Sequence, residues 1–406
     1  MEDRLSEKPL IVLCDDELQT VEGWRRELEG LDEVATAFDV AIVDENEFRR
    51  DVERLEQRRK SLREGQEQDK APTIFDSASV LIVDYDLYGY KPDQLLTGDS
   101  IAYLARSFSS CGYIVGVNQD RIANPFDLTL MAHGAVSTDL SIGSEQIADL
   151  GLWSGDPGRW KSFRPWYWPA LPERADALAR LRERLEGKLD EPLAQVLALP
   201  REVLDSLPRA AMVLLDVPSR PDIGEVALRE WVHGSQMGLR PGDRVADDEQ
   251  VASIAAARLG KWFERVLLPS QSILVDAPHL ADRRPGLLEG DTSDPDAWQQ
   301  TVRLGVGPEE LGMGGAVLER HRFGDDWVSR PVWLWSRIAT DSDLDGALDA
   351  PRPEPRIVFT EDASRFVEVY NARRYTSGVE PPFNSRWLAM GQEGTRYLPA
   401  ARLVAP

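Results

Sequence analysis

The run Val80-Leu81-Ile82-Val83, closed by Asp84, constrains this chain more than any other stretch. Four apolar residues rich in β-branched side chains are too few for a typical helix. They read as a strand buried on both faces of a parallel sheet. A carboxylate where such a strand ends stands at the carboxyl edge of the sheet, where open α/β folds bind ligands. A second run of this kind, Pro9 to Leu13, is followed at once by Cys14, Asp15, Asp16 and Glu17. If the two strands are neighbours, Asp15, Asp16 and Asp84 converge at one edge. Carboxylates crowded in this way repel unless a hard divalent cation neutralises them, and Mg²⁺ with retained waters suits an all-oxygen site.

In order and spacing, residues 8 to 150 resemble the receiver domain of two-component response regulators. Those domains carry an acidic pair after the first strand, a phospho-accepting aspartate after the third, and Mg²⁺ between them. The resemblance implies Asp15 and Asp16 as the acidic pair and Asp84 as the phosphoacceptor. It also implies the backbone carbonyl of Asp86 as a further metal ligand and a histidine kinase as phosphoryl donor. Gly98 fits the glycine opening the third helix, Cys111 to Val117 the fourth strand, and His133-Gly134-Ala135 the turn before the fifth.

The departures fall on the switching half. The family's hydroxyl residue after the fourth strand is Asn118 here, which can donate a hydrogen bond to a phosphoryl oxygen. Its lysine after the fifth strand falls on about Ser141, with no Lys between Ala135 and Gln146, and its aromatic switch position falls on about Thr138. The loop from Asp84 to Gly98 is longer than usual. A phosphorylatable domain and a pseudo-receiver that uses the fold for binding are both open on these residues. Asp84-x-Asp86 after an apolar strand also resembles the acidic motifs of haloacid-dehalogenase-like phosphatases and toprim nucleases, Mg²⁺-dependent phosphoryl-transfer enzymes. Against them, the motif is not on the first strand, and that strand ends in Asp15-Asp16 rather than a lone Glu.

With 406 residues the chain has room for two or three domains. The formal net charge of −23 opposes counterion-driven binding to nucleic acid, and no helix-turn-helix, zinc-finger or RNA-binding signature is present. No apolar run approaches the roughly 18 residues of a membrane span, and MEDRLSEKPL lacks the pattern of a signal peptide, so a cytoplasmic protein is expected. Two cysteines, Cys14 and Cys111, both beside expected strands, read as core thiols.

Five strands alternating with helices make residues 1–150 a doubly wound α/β domain with a parallel sheet. Its second strand is expected within Val34 to Val43, its fifth at Ala135 to Leu140 and its last helix at Gly143 to Leu152. The charged segment Glu45 to Gln66 carries Phe48, Val52, Leu55 and Leu62 as a stripe on a long helix. That helix reads either as a solvated face or as a contact with another helix, including a homodimer. Residues 151–218 form a helical connector with Trp153, Trp160, Trp166 and Trp168, read as anchors at a domain contact rather than as a stacking platform. Residues 219–406 read as an α+β domain with β-like runs at Gly315 to Leu318, Val332 to Ile338, Ile357 to Phe359 and Phe366 to Tyr370. Within it, Asp276 and His279 form a candidate acid/base pair with Arg283 and Arg284 behind them; a capped turn with a surface histidine is the plainer reading.

Overall fold

The computed structural model describes residues 8–67, 69, 71–87, 97–118, 137–155, 166, 168–217, 222–235, 237–245, 247–324, 326–374 and 385–389. The turn at His133, the segment Arg121 to Met131 and Trp160 lie outside them. The molecule is α/β: an N-terminal five-stranded parallel sheet flanked by helices precedes a region of helices and smaller sheets. It comprises two units that are discontinuous in sequence, 1–148 with 178–259, and 149–177 with 260–406. These boundaries differ from the sequential division into 1–150, 151–218 and 219–406.

The first unit begins with β1 (Leu10–Cys14), α1 (Leu18–Glu29), α2 (Asp32–Ala37), β2 (Asp39–Ile42) and α3 (Glu45–Arg63). It continues through α4 (Ile74–Ser77), β3 (Ala78–Asp84), α5 (Gly98–Phe108), β4 (Tyr113–Asn118) and β5 (Leu140–Gly143). The strand order is β2-β1-β3-β4-β5 and every pairing is parallel. Ile11 to Cys14 and Val80 to Val83 are buried, as strands covered by helices on both faces must be. The order reverses between β1 and β3, and that switch point is where doubly wound sheets open a crevice at their carboxyl edge.

Two strands differ from expectation. Val34 starts no strand: it is the buried residue of α2, whose first turn carries Asp32 and Glu33 against the positive end of the helix, and β2 begins only at Asp39. Among the described residues the fifth strand runs from Leu140, where the expected one ended, to Gly143, and Ala135 and Val136 lie outside those residues; Asp139, just before the strand, is already tied to β4. Its backbone N–H donates to Ile114 O (2.7 Å), and its carboxylate accepts from the Ile114 N–H (2.8 Å) and pairs with the buried Arg106. In place of one helix over Gly143 to Leu152 there is a 3₁₀ turn at Ser144–Gln146 and a short helix at Leu150–Ser154.

The charged helix α3 is set by Asp44, whose side chain accepts from the N–H groups of Asn46 and Glu47. Its stripe of Phe48, Val52 and Leu55 is buried, and α3 packs on α5 of the same chain while its charged residues mostly face outward. The 178–259 part of this unit meets the pair through Asp243. That buried carboxylate accepts from Arg59 Nε (2.9 and 3.0 Å) and from the Tyr103 hydroxyl (2.7 Å), and the Arg240 guanidinium lies 4.0 Å from the Tyr103 ring centre.

In the second unit, β6 (Leu274–Asp276), β7 (Arg322–Phe323) and β8 (Val332–Leu334) form an antiparallel sheet in the order β6-β8-β7. The strands β9 (Ile357–Thr360), β10 (Arg365–Glu368), β11 (Ala372–Arg374) and β12 (Trp387–Ala389) form another in the order β10-β9-β12-β11. The expected β-like run at Gly315 to Leu318 is instead the start of the helix Gly315–His321, a four-residue run being too short for periodicity to tell the two apart. Trp153, Trp166 and Trp168 are buried.

Candidate metal centre

Parallel register places Cys14 of β1 beside Val83 of β3, so the next residues, Asp15 and Asp84, stand side by side at the carboxyl edge. One oxygen from each of Asp15, Asp16 and Asp84 lies within 4.8 Å of the others. Asp15 and Asp84 are buried and Asp16 is half-buried. Backbone donors orient the two buried acids: the Glu17 N–H donates to Asp15 Oδ1 (2.7 Å) and the Asp86 N–H to Asp84 Oδ2 (2.9 Å). Burial pushes the Asp15 carboxyl up to about 7; repulsion from Asp84, Asp16 and Glu17 adds to this, while the Glu17 N–H opposes it.

Opposite oxygens around an octahedral Mg²⁺ stand about 4.2 Å apart. Adjacent oxygens of such an ion stand about 3.0 Å apart, so three hard oxygen donors lying within 4.8 Å of one another would have to draw closer to share it. Burial drives the Cys14 thiol far up and the Cys111 thiol up to about 12, and neither belongs to the gathered donor set.

The opening of α5 is part of this edge. A Cβ at Gly98 would come within 2.2 Å of the Asp84 carbonyl oxygen, and the Gly98 N–H donates to Tyr85 O (2.8 Å). Thr97 caps the helix by accepting from the Ser100 N–H (3.3 Å) and forms a β-bridge with Asp86 across the loop. Asn118 stands at the same edge, at the end of β4 and one residue beyond Val117, the partner of Asp84. The Asp86 side chain is exposed, and its carboxylate is not one of the three gathered acids. Ser141 lies inside β5 opposite Gly116, and the position after that strand is Ser144, again not a lysine. Thr138 packs its methyl group where Gly116 has no side chain; a Cβ there would be 2.9 Å from Thr138 Cγ2. Leu18 and Tyr85, each within two residues of one of the acids, are 63% and 44% exposed and so offer an apolar rim to the edge.

The second pair singled out in the sequence also meets. Asp276 ends β6, and its Oδ1 receives His279 Nδ1 at 2.5 Å. The far ring nitrogen of His279 lies 2.6 Å from Glu361 Oε1 and 2.5 Å from Arg386. Burial disfavours the charged ring, yet Asp276 and Glu361 outweigh it and raise the His279 pKa. The histidine is therefore buried rather than on the surface. Its arginine is Arg386, distant in sequence, while Arg283 lies over the Trp335 ring and Arg284 donates to the carbonyls of Leu344 and Ala339. No local spacing signals Glu361 or Arg386. His233 bridges the carbonyls of Arg229 and Val245, and His321 meets Asp341 at 2.6 Å.

Comparison of the chain with protein-family models, with curated proteins and with solved structures found no match. No helix among the described residues is long and apolar enough to cross a membrane.

Proposed function

We propose that residues 8–148 act as a divalent-cation-dependent regulatory domain of the receiver type, with Asp15, Asp16 and Asp84 as ligands of Mg²⁺ and Asp84 as the phosphoacceptor. The observation that carries this reading is the convergence of three carboxylates at the β1/β3 switch point of a parallel sheet ordered β2-β1-β3-β4-β5. Bound Mg²⁺ would supply charge neutralisation for phosphoryl oxygens. In the phosphorylated form an Asp84 oxygen has bonded to phosphorus as the phosphorus–nitrogen bond of a histidine kinase's phosphohistidine breaks. Asn118 can donate to a phosphoryl oxygen from the neighbouring strand end, and the rim of Leu18 and Tyr85 gives the donor protein an apolar contact. With no lysine after β5, the phosphoryl charge has no cation there, which favours a domain read out through binding rather than a fast switch. The enzyme reading through Asp84 and Asp86 has less support, because the Asp86 carboxylate is exposed and outside the cluster.

The test is calorimetric titration with Mg²⁺, followed by mass spectrometry after acetyl phosphate and Mg²⁺. Binding of one ion, lost in Asp84→Asn and Asp15→Asn, together with an adduct on Asp84, is the expected result. Binding without an adduct leaves a pseudo-receiver. Absence of binding removes the proposal.

A further inference from the structure

The seam between β9 and β12 is closed by side chains more than by backbone. Where β9 and β10 pair over four residues, β9 and β12 align, among the described residues, only at Thr360 and Trp387, followed by a bond from the Glu361 N–H to Trp387 O (3.0 Å). Two acids just past the end of β9 supply the rest. Asp362 Oδ1 accepts the Ala389 N–H (2.8 Å), and Glu361 takes the guanidinium of Arg386, which also donates to Pro269 O (2.8 Å). Because β11 joins the sheet through β12, both strands depend on this seam.

His279 stands behind Glu361. Its Nδ1 lies 2.5 Å from Asp276 Oδ1 and its Nε2 2.6 Å from Glu361 Oε1, with the rings of Trp166 and Phe359 edge-on at 5.5 and 5.0 Å. An ionised carboxylate only accepts, so each short contact calls for a proton on the ring nitrogen. A ring protonated at both nitrogens is a cation. Arg386 comes within 2.5 Å of Nε2 because it donates to the same Glu361 oxygen; a neutral ring accepting from Arg386 would aim its lone pair at that oxygen. The neighbouring charges agree. Asp276, Glu361 and Asp362 face Arg386 and Arg330, the latter 3.5 Å from Asp276 Oδ2, while Arg283 lies over the Trp335 ring. Burial opposes the charge on His279, yet Asp276 and Glu361 hold its pKa above the ordinary value.

We propose that His279 is a buried imidazolium that locks β12 onto β9, and that loss of its proton on the alkaline side releases the strand. When solvent base takes the Nε2 proton, a lone pair faces Glu361 Oε1, and Glu361 must turn away with the Arg386 it holds. A cation favoured by the fold contributes stability that is fully present below the ordinary histidine value of about 6.5 and is lost as pH rises through the raised one. Asp362 acts in the same direction at lower pH, since burial pushes its carboxyl up to about 6; from pH 7.5 upward the effect is left to His279. The lock is built from residues of the second unit alone, so this proposal and the one for the acidic edge can fail separately.

Nitrogen NMR of the full chain labelled at its four histidines, with His279 assigned by substituting the other three in turn, tests the ring. Hydrogen exchange of Trp387–Ala389, corrected for the intrinsic pH dependence of exchange, tests the lock. At pH 7.5 both ring nitrogens should carry protons. Between pH 7.5 and 9.5 the ring should pass to its neutral form, and exchange of the segment should quicken about tenfold or more in step with it. Glu361→Gln keeps the shape and an acceptor oxygen but not the charge, and should lower the midpoint of the ring titration by about one pH unit or more. A variant that is merely destabilised would exchange faster at every pH without moving that midpoint. A neutral ring at pH 7.5, exchange that does not follow the ring, or a midpoint unmoved in Glu361→Gln would overturn the proposal.

Discussion

Asp15 shows how a single residue couples the site to its surroundings. Without a cation its carboxyl titrates near 7, because burial and three neighbouring acids disfavour the anion. A cation must displace that proton, so affinity for Mg²⁺ should rise as pH rises through about 7 and level off above it, with proton release on binding below that point. Titrations at pH 6 and pH 8 check the direction, and equal affinities would contradict it. Arg58 is the structural counterpart on α3. Its buried guanidinium donates to Asp76 (2.9 and 3.1 Å) and to the carbonyls of Phe108, Ala71 and Asp69, joining α3 to the approach to β3 and the end of α5. Arg58→Met takes this donor from the three carbonyls and leaves Asp76 with Thr73 and Ser110 but no counter-charge from Arg58, and should cost about 3 kcal/mol in chemical denaturation.

At the scale of elements, the acidic edge depends on how closely α5 approaches β3. Gly98 allows that approach by lacking a side chain: a methyl group would overlap the Asp84 carbonyl oxygen at 2.2 Å. Gly98→Ala should therefore lower stability by about 2 kcal/mol and also weaken Mg²⁺ binding, since the strand end carrying Asp84 must move. Thermal melts and the Mg²⁺ titration measure the two effects, and a variant with both unchanged would refute this account of Gly98. The stripe on α3 was legible as a packed face, but its partner was not. Any apolar helix face can satisfy Phe48, Val52 and Leu55, and only the tertiary fold selects α5 of the same chain.

For the whole molecule, the interleaved units change what counts as a domain. Residues 1–148 resemble a self-sufficient sheet, yet the helix pair α3/α5 is completed by Asp243 and Arg240 from the 178–259 part of the same unit. Removing them exposes the Tyr103 ring, whose hydroxyl is held up to about 12 by burial and by Asp243, and leaves Arg59 without that carboxylate. A fragment of residues 1–148 should melt below the corresponding transition of the full chain when followed by circular dichroism. An equal midpoint would show that the sheet needs no such cover.

The sequence by itself determined the parallel sheet and the acids at its edge. An apolar run followed by aspartate is local, and buried parallel strands leave little choice about where the following residue emerges. The tertiary structure decided what joins over distance: the adjacency of β1 and β3, the partner of α3, the Asp243 contact, and the meeting of Asp276 and His279 with Glu361 and Arg386. Such contacts depend on chain reversals and side-chain fit across dozens of residues, which no local pattern encodes.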